Sequence, residues 1–421
     1  MIAINTFLAL YLAAYLLSAA VDTYIDLVSA AYSKKYGTEV PHEFQEVIDG
    51  GKLKKMNAYT LDNTHLSLVK GLAGKVIFLA VILFGLLPWW AEQLKDLSFV
   101  AGGLIFFGVP IVLAGLLDLP FDYYRIFVIE ERYGFNTRTR KVWMLDLLKS
   151  FFLAIILGAV LISLLLLMVG YAGKTWWIWA WLIFFSFQLL LLVFYPTLIA
   201  PIFNKFKAIG DSPLAEKIGR LAEREGIPIK GVFQMDAKKR SRHTNAYLSG
   251  LGKTKRIVLF DTLIESHGDD EILAVLAHEI GHLKRNHIKK QLFITGLASL
   301  VLLYVASEMV IWDHLYASFG FYEKSLYGGL LLVGLLWEPV GFFLAPLAMA
   351  ISRRFEREAD KQVVKTLESA TPLITALKKM ARDNLSNLSP HPLYVHFNYS
   401  HPPLLERIQA LKGRFPQNGP H

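Results

Sequence analysis

The stretch His278-Glu279-Ile280-Gly281-His282 places two imidazoles and a carboxylate where they can act on one centre. On an α-helix, positions four apart lie on one face about a turn apart, so His278 and His282 can turn toward a single metal ion. Two neutral histidines make half of a Zn²⁺ site, which becomes catalytic if one coordination position stays open. Glu279, beside the first histidine, is placed to take a proton from an attacking water. Taken alone, the pattern also fits a solvated helix that carries it by chance, but its setting argues for a site. Asp269, Asp270 and Glu271 precede the apolar run 272–276, and acidic residues suit the first turn of a helix. Gly281 costs the helix roughly 1 kcal/mol relative to alanine, and it leaves room for the close approach that a catalytic cleft needs. His287 falls about 140° around a continuous helix from His282, which predicts a place behind the ligands or at the surface.

A third protein ligand is needed, and the chain has no cysteine to supply it. Two-histidine zinc peptidases complete such a site with a glutamate. The segment Ser352-Arg353-Arg354-Phe355-Glu356-Arg357-Glu358-Ala359-Asp360 offers three acids. Glu356 and Asp360 lie one turn apart on one face, suiting a ligand plus a carboxylate that orients a ligating histidine. Glu358 lies on nearly the opposite face, four residues after Arg354, and reads as half of an exposed ion pair. Spacing favours Glu356 over Glu358 only modestly.

These residues need a scaffold, and composition says of what kind. Apolar residues make up 54% of the chain and charged residues 19%. Apolar stretches of about 20 residues, enough to cross a bilayer, recur near 4–28, 69–90, 98–118, 148–171, 175–201, 289–312 and 327–351. The first lacks a basic leader and a small-residue cleavage site, so it reads as an uncleaved span. One such run could be a buried helix of a soluble protein; seven in 421 residues could not. The chain thus divides into a membrane region (1–201), a soluble segment (202–288), two further spans (289–351) and a polar tail (352–421). Within the soluble segment, 214–222 has helical periodicity and 231–235 and 256–260 read as strands. Asn245-Ala246-Tyr247-Leu248 reads as a third strand, with 249–252 turning onward, although Asn245 and Tyr247 also suit turn and packing roles.

Loop charge orients the spans. Lys95, Lys174 and Lys324 are single lysines in alternate short connections, whereas Lys34, Lys35, Lys52, Lys54, Lys55, Arg132, Arg138, Arg140, Lys141, Arg353 and Arg354 crowd the others. The positive-inside rule predicts the N-terminus outside, the C-terminus in the cytoplasm and both metal motifs on the cytosolic side. The net charge of +9 then belongs to flanks facing anionic lipid and gives no reason to expect nucleic acid as a partner. Glu338, within the last span, needs a charged partner or a water-filled cavity.

His-Glu-Ile-Gly-His followed by Ser-Arg-Arg-Phe-Glu-x-x-Ala-Asp resembles the type I CAAX prenyl endopeptidases, membrane-embedded zinc metalloproteases. Further motifs follow in the family's order: Val-Ile-Glu-Glu-Arg-Tyr-Gly-Phe-Asn at 128–136, Tyr-Pro at 195–196, Pro-Ile-Phe-Asn-Lys-Phe at 201–206, Asn-Ala-Tyr at 245–247, and Tyr-Ser-His-Pro-Pro at 399–403 with Glu406-Arg407-Ile408. The resemblance selects Glu356 as the third ligand and implies one Zn²⁺ per chain on His278, His282 and Glu356, with Glu279 as the base and Asp360 behind a ligating histidine. It implies that His401 and Arg407 stabilise the oxyanion, Arg407 having the alternative of pairing with Glu406 or another tail acid. Asn245, Ala246 and Tyr247 would hold an extended peptide by main-chain pairing. The implied fold is mainly α and polytopic, about seven transmembrane helices enclosing a chamber, with a cytosol-facing, zincin-like α+β peptidase region. Implied substrates are CAAX proteins with a prenylated cysteine, cut to release the last three residues. The compact chain is more like bacterial members, which points to a bacterial inner membrane. A bacterium without prenylated proteins needs another substrate, so the second expectation is a quality-control protease acting on unprenylated membrane clients. A non-catalytic membrane scaffold is the third, and it would have no use for Glu279.

Overall fold

Long apolar runs dictate most of the architecture. In the computed structural model, which describes residues 4–210, 212–250 and 255–414, seven helical stretches are long and apolar enough to cross a membrane. They are built on α1 (Thr6–Tyr36), α2 (Gly50–Leu83), α3 (Phe99–Tyr124), α4 (Arg140–Tyr171), α5 (Trp176–Phe194), α8 (His287–Met309) and α9 (Leu326–Leu367). Between them lie α6 (Pro213–Arg224) and α7 (Asp269–Lys284), and after them come α10 (Thr371–Asp383), α11 (Pro392–Asn398) and α12 (Leu404–Arg414).

Several helices run past the apolar stretch, because helix propensity continues where hydrophobicity stops. α2 starts at Gly50, far ahead of the expected 69, with Asp49 accepting the Lys52 N–H at 2.7 Å as its cap. It ends at Leu83 and not at 90, because Gly85 takes a left-handed conformation (φ 69°) that a helix cannot continue through. α9 continues from the span into the Ser-Arg-Arg-Phe-Glu segment without a break, so span and third-ligand motif share one continuous helix.

The seven spans close into a ring. α1 packs on α2, α2 on α3, α3 on α4, α4 on α5, α5 on α8, α8 on α9, and α9 returns to α1. Helices about 10 Å apart in a ring of seven put their axes on a circle of radius about 11 Å. Subtracting a helix radius of about 5 Å leaves a lumen about 6 Å in radius, too wide for side chains of the ring to fill. The sparse burial of the apolar windows, 6% to 28% of each, agrees with helices wetted or lipid-exposed on two sides.

Two cores hold the ends of the ring. On one side Leu8, Tyr11, Ala91, Leu94, Trp176, Leu315 and Phe319 pack together, and Asn5 donates to Ser318 Oγ at 2.9 Å. On the other, Phe44, Met56, Ile129 and Phe135 share one core with Ile257, Leu259, Leu276, Val363 and Ile408. Segments near 50, 130, 260 and 400 therefore sit on the face that carries the metal motifs.

The sheet belongs to this second face. Its order is β1 (Phe206–Ala208), β2 (Gly231–Met235), β4 (Arg256–Phe260), β3 (Ala246–Ser249). β1, which carries no alternating apolar pattern, escapes a reading based on periodicity; it pairs with β2 through Phe206 and Met235. β3 pairs antiparallel with β4, with Tyr247 opposite Val258, and forms a sheet edge. Of the turn expected over 249–252, residues 251 and 252 lie outside the described residues.

Candidate metal centre

α7 starts where the acids predict. Glu271 turns back to accept the Gly268 N–H at 2.9 Å, and Asp269 meets Lys217 at 2.8 Å. The helix then carries His278 and His282 on one face, their rings 4.9 Å apart and nearly perpendicular. α9 crosses it in tight contact. A Cβ on Gly281 would sit 3.0 Å from both the Cα and the carbonyl oxygen of Ala359. The room expected for a cleft at Gly281 is filled instead by the backbone of α9, and that approach brings Glu356 within reach of the histidines.

Three ligand-type side chains converge here: His278, His282 and Glu356. The two Nε2 atoms are 3.2 Å apart, Glu356 Oε2 lies 3.1 Å from His278 Nε2, and Glu356 Oε1 lies 3.3 Å from His282 Nε2. Ligand atoms about 2.0–2.1 Å from a tetrahedral ion are about 3.3–3.4 Å from one another. Each contact is close to that edge, the two to Glu356 being made by its two different oxygens, and one donor atom from each residue lies within 4.8 Å of the others, so the donor set fits a cation. Glu356 Oε2 is also buried with no hydrogen-bond partner among the described residues, a costly arrangement that a bound cation would relieve. Glu279, half-buried beside these rings, has its carboxyl pushed above the ordinary carboxylate range by burial, against the opposing pull of His278 and His282.

A buried pair stands behind His278. Asp360 Oδ1 lies 2.8 Å from His278 Nδ1, off the axis of the ring N–H, as a close electrostatic contact. Arg407 donates to both oxygens of Asp360, Nε at 2.9 Å and Nη2 at 2.7 Å. The tail-acid alternative for Arg407 named Glu406, but its partner is this helix acid. Two of its three guanidinium nitrogens are held by Asp360.

His401 also reaches the centre, its Nε2 3.3 Å from Glu356 Oε1 and its Nδ1 2.9 Å from Ser400 Oγ. Its side chain is 60% exposed, so it faces open space as well as the carboxylate. Arg353 sets this approach by donating to the carbonyls of Val395 at 2.9 Å and Tyr399 at 2.8 Å. A cavity of about 420 Å³ lined by Tyr399, Ser400, His401 and Arg407 opens beside it.

β3 packs against α7, which puts a sheet edge alongside the cluster. The Asn245 carbonyl accepts the Phe260 N–H at 3.1 Å, and Asn245 Oδ1 accepts the Ala246 N–H at 2.8 Å. Antiparallel alternation then turns the main chain of Ala246 and Leu248 outward, while Tyr247 pairs inward with Val258. The Ala246 side chain is buried in the core, and Tyr247 packs on the far face with Phe206, Phe233 and Phe260. The Asn245 side chain thus caps a main-chain N–H, those of Ala246 and Tyr247 pack, and among the described residues no strand pairs with the outer side of β3.

Two residues named from the sequence have more partners than expected. Of the two places expected for His287, behind the ligands or at the surface, it takes the first and is 3% exposed, because Asn286 adopts a left-handed conformation (φ 54°) that breaks the helix and turns the chain back. Its Nδ1 lies 3.1 Å from His282 Nδ1. Glu358 does meet Arg354, at 3.1 Å, but its other oxygen faces inward to His287 at 3.2 Å, so the expected surface ion pair is only half of its role. The signal available in advance was the asparagine itself, a residue that tolerates this conformation.

Comparison with known proteins adds to this geometry. Residues 30–205 match the family model for the CAAX prenyl protease N-terminal region, five membrane helices, and residues 210–415 match peptidase family M48. The chain is 36% identical to a CAAX prenyl protease 1 homolog of Arabidopsis thaliana over 93% of this chain and 94% of that protein. It is 35% identical to CAAX prenyl protease 1 of Saccharomyces cerevisiae and 32% identical to the Homo sapiens homolog, each covering 90% of both chains. The crystal structure of S. mikatae Ste24p superposes with a TM-score of 0.89 at 30% identity, over 97% of this chain and 99% of that one.

Proposed function

The chain belongs to the M48 family of CAAX prenyl proteases and is a multi-pass membrane metalloendopeptidase, and from that premise we propose that it is a zinc enzyme releasing the C-terminal tripeptide of prenylated CAAX substrates. The observation that supports the metal reading is the convergence of one donor atom each from His278, His282 and Glu356 within 4.8 Å of one another, the two Nε2 atoms 3.2 Å apart. These three residues hold one Zn²⁺, which when bound polarises a peptide carbonyl and acidifies water. Glu279 takes the proton of the attacking water and delivers it to the departing amine. His401 donates to the oxyanion, and Asp360 with Arg407 keeps the His278 ring in place. The outward Ala246 carbonyl and the Leu248 main chain, next to Asn245 and Tyr247, pair with an extended substrate.

The active face lies in the cytosol in this proposal, where basic residues crowd the flanks, and the chain's compact size suggests a bacterial inner membrane. Purified enzyme in detergent should cleave a farnesylated CAAX peptide many times faster than the same peptide unprenylated. Equal rates on both would discard the prenyl-protein substrate and favour the quality-control reading.

A further inference from the structure

The two histidines of the cluster are supported differently. His278 has a carboxylate at its far nitrogen, since its Nδ1 is 2.8 Å from Asp360. His282 has another imidazole there, with His287 Nδ1 3.1 Å from its own Nδ1. Two ring nitrogens at that distance need one proton between them, donated by one and accepted by the other.

Resting on the metal-binding reading of His278, His282 and Glu356, we propose that His287 is a positioning residue, which with Glu358 fixes the proton and the orientation of His282. Proton placement follows from valence. A ligand nitrogen must present a lone pair, so a neutral His282 that binds through Nε2 carries its proton on Nδ1. That N–H donates to His287 Nδ1, which must therefore be the bare nitrogen of its ring. The proton of His287 is then on Nε2, and that atom faces Glu358 Oε2 at 3.2 Å. Each donor has an acceptor, and the line ends on a carboxylate held ionised by Arg354 at 3.1 Å and Lys290 at 4.0 Å. Reversing the line would aim a proton of His282 at the metal position and leave Glu358 facing a bare nitrogen.

The surroundings are built for this ring. His287 is 3% exposed and lies flat on Phe355, with ring centroids 4.3 Å apart and planes 10° off parallel. Asn286 supplies the left-handed turn that brings it back over His282. Glu358 lies about 200° around α9 from Glu356, so it faces away from the ligand cluster and acts on it through an intervening ring. One helix thus contributes the ligand Glu356, the support of one histidine directly through Asp360, and that of the other at one remove through Glu358.

The test is zinc retention by purified full-length enzyme, read as the rate of release to a chromophoric chelator and as equilibrium affinity, beside hydrolysis. His287→Phe keeps the stack on Phe355 but cannot accept a proton, and should weaken zinc binding about 10–100-fold. His287→Gln offers a carbonyl to accept and an amide to donate, and should recover most of that loss. Glu358→Ala, on the half-exposed end, should keep zinc through purification but release it several-fold faster than wild type. If His287→Phe does not fold, the Glu358→Ala release rate decides. Zinc affinity and release within twofold of wild type in His287→Phe, or in Glu358→Ala where that variant decides, would overturn the proposal. So would a His287→Gln that is folded yet as weak as His287→Phe. Failure of wild type itself to bind zinc would refute the metal reading on which the proposal rests and is separately visible.

Discussion

Arg407 and Asp360 form a two-pronged pair, at 2.9 and 2.7 Å, in which both side chains are more than nine-tenths buried. The oxygen that receives Arg407 Nη2 is the one 2.8 Å from His278 Nδ1. One carboxylate oxygen thus joins a cation from the C-terminal helix to a ring on α7. The pair ties the tail to the HExxH helix and determines how a substitution at Arg407 should behave.

Arg407→Gln should lower zinc affinity roughly 10–100-fold, as loss of a partner behind a ligand does. It should also destabilise the protein by about 3–5 kcal/mol, the usual cost of stranding a buried charge. Asp360→Asn added to it should restore part of the stability, since no unpaired charge remains. Melting temperature and zinc content of the three variants are the measurements. Undiminished zinc with a loss confined to kcat would put Arg407 on the substrate instead.

Single substitution of His278, His282 or Glu356 by alanine should each abolish stoichiometric zinc, because each removes one of three protein donors. Elemental analysis of purified protein checks this. Full occupancy in Glu356→Ala alongside depletion in Glu358→Ala would mean that the wrong glutamate has been assigned.

Glu279→Gln should retain zinc and fold, yet lose about 10²–10⁴-fold in hydrolysis, since an amide cannot accept the water's proton. Single-turnover cleavage by the zinc-loaded variant is the measurement, and near-normal rates would exclude Glu279 as the base.

Gly281→Ala adds one methyl group 3.0 Å from backbone atoms of Ala359, which cannot swing aside as a side chain would. Prying α7 from α9 should cost about 1–3 kcal/mol and pull Glu356 away from the histidines. The expected result is a lower melting temperature together with faster zinc release. An alanine variant more stable than wild type would show that the crossing is loose.

Topology is testable because the chain has no cysteine. A cysteine at Lys324, on the face bearing Asn5 and Ser318, should react with an impermeant thiol reagent added to intact cells. One at Lys54, on the metal-bearing face, should react only after permeabilisation. The reverse pattern would place the proposed active site outside the cytosol.

Much of this was legible in the chain because it depends on local patterns. Bilayer thickness translates directly into about 20 apolar residues, so seven spans could be counted one by one. Helical periodicity alone puts His278 beside His282 and Glu356 beside Asp360. Span ends were less legible: helix continues beyond the apolar run in α2 and α9, and stops at Gly85 for a backbone reason unrelated to hydropathy.

What only the tertiary structure decided concerns pairs far apart in sequence. Gly281 reads as open space until Ala359 occupies it, because a glycine marks a close approach without saying by what. Arg407 could have met any nearby acid, and its choice of Asp360 depends on where the tail docks against α9. His287 shows the point most plainly. Continued as a helix, it would point away from His282; a single left-handed residue at Asn286 reverses that and buries it between His282 and Glu358. Periodicity propagates from residue to residue only while the backbone stays regular, so one changed dihedral, or one crossing helix, cancels what it implies.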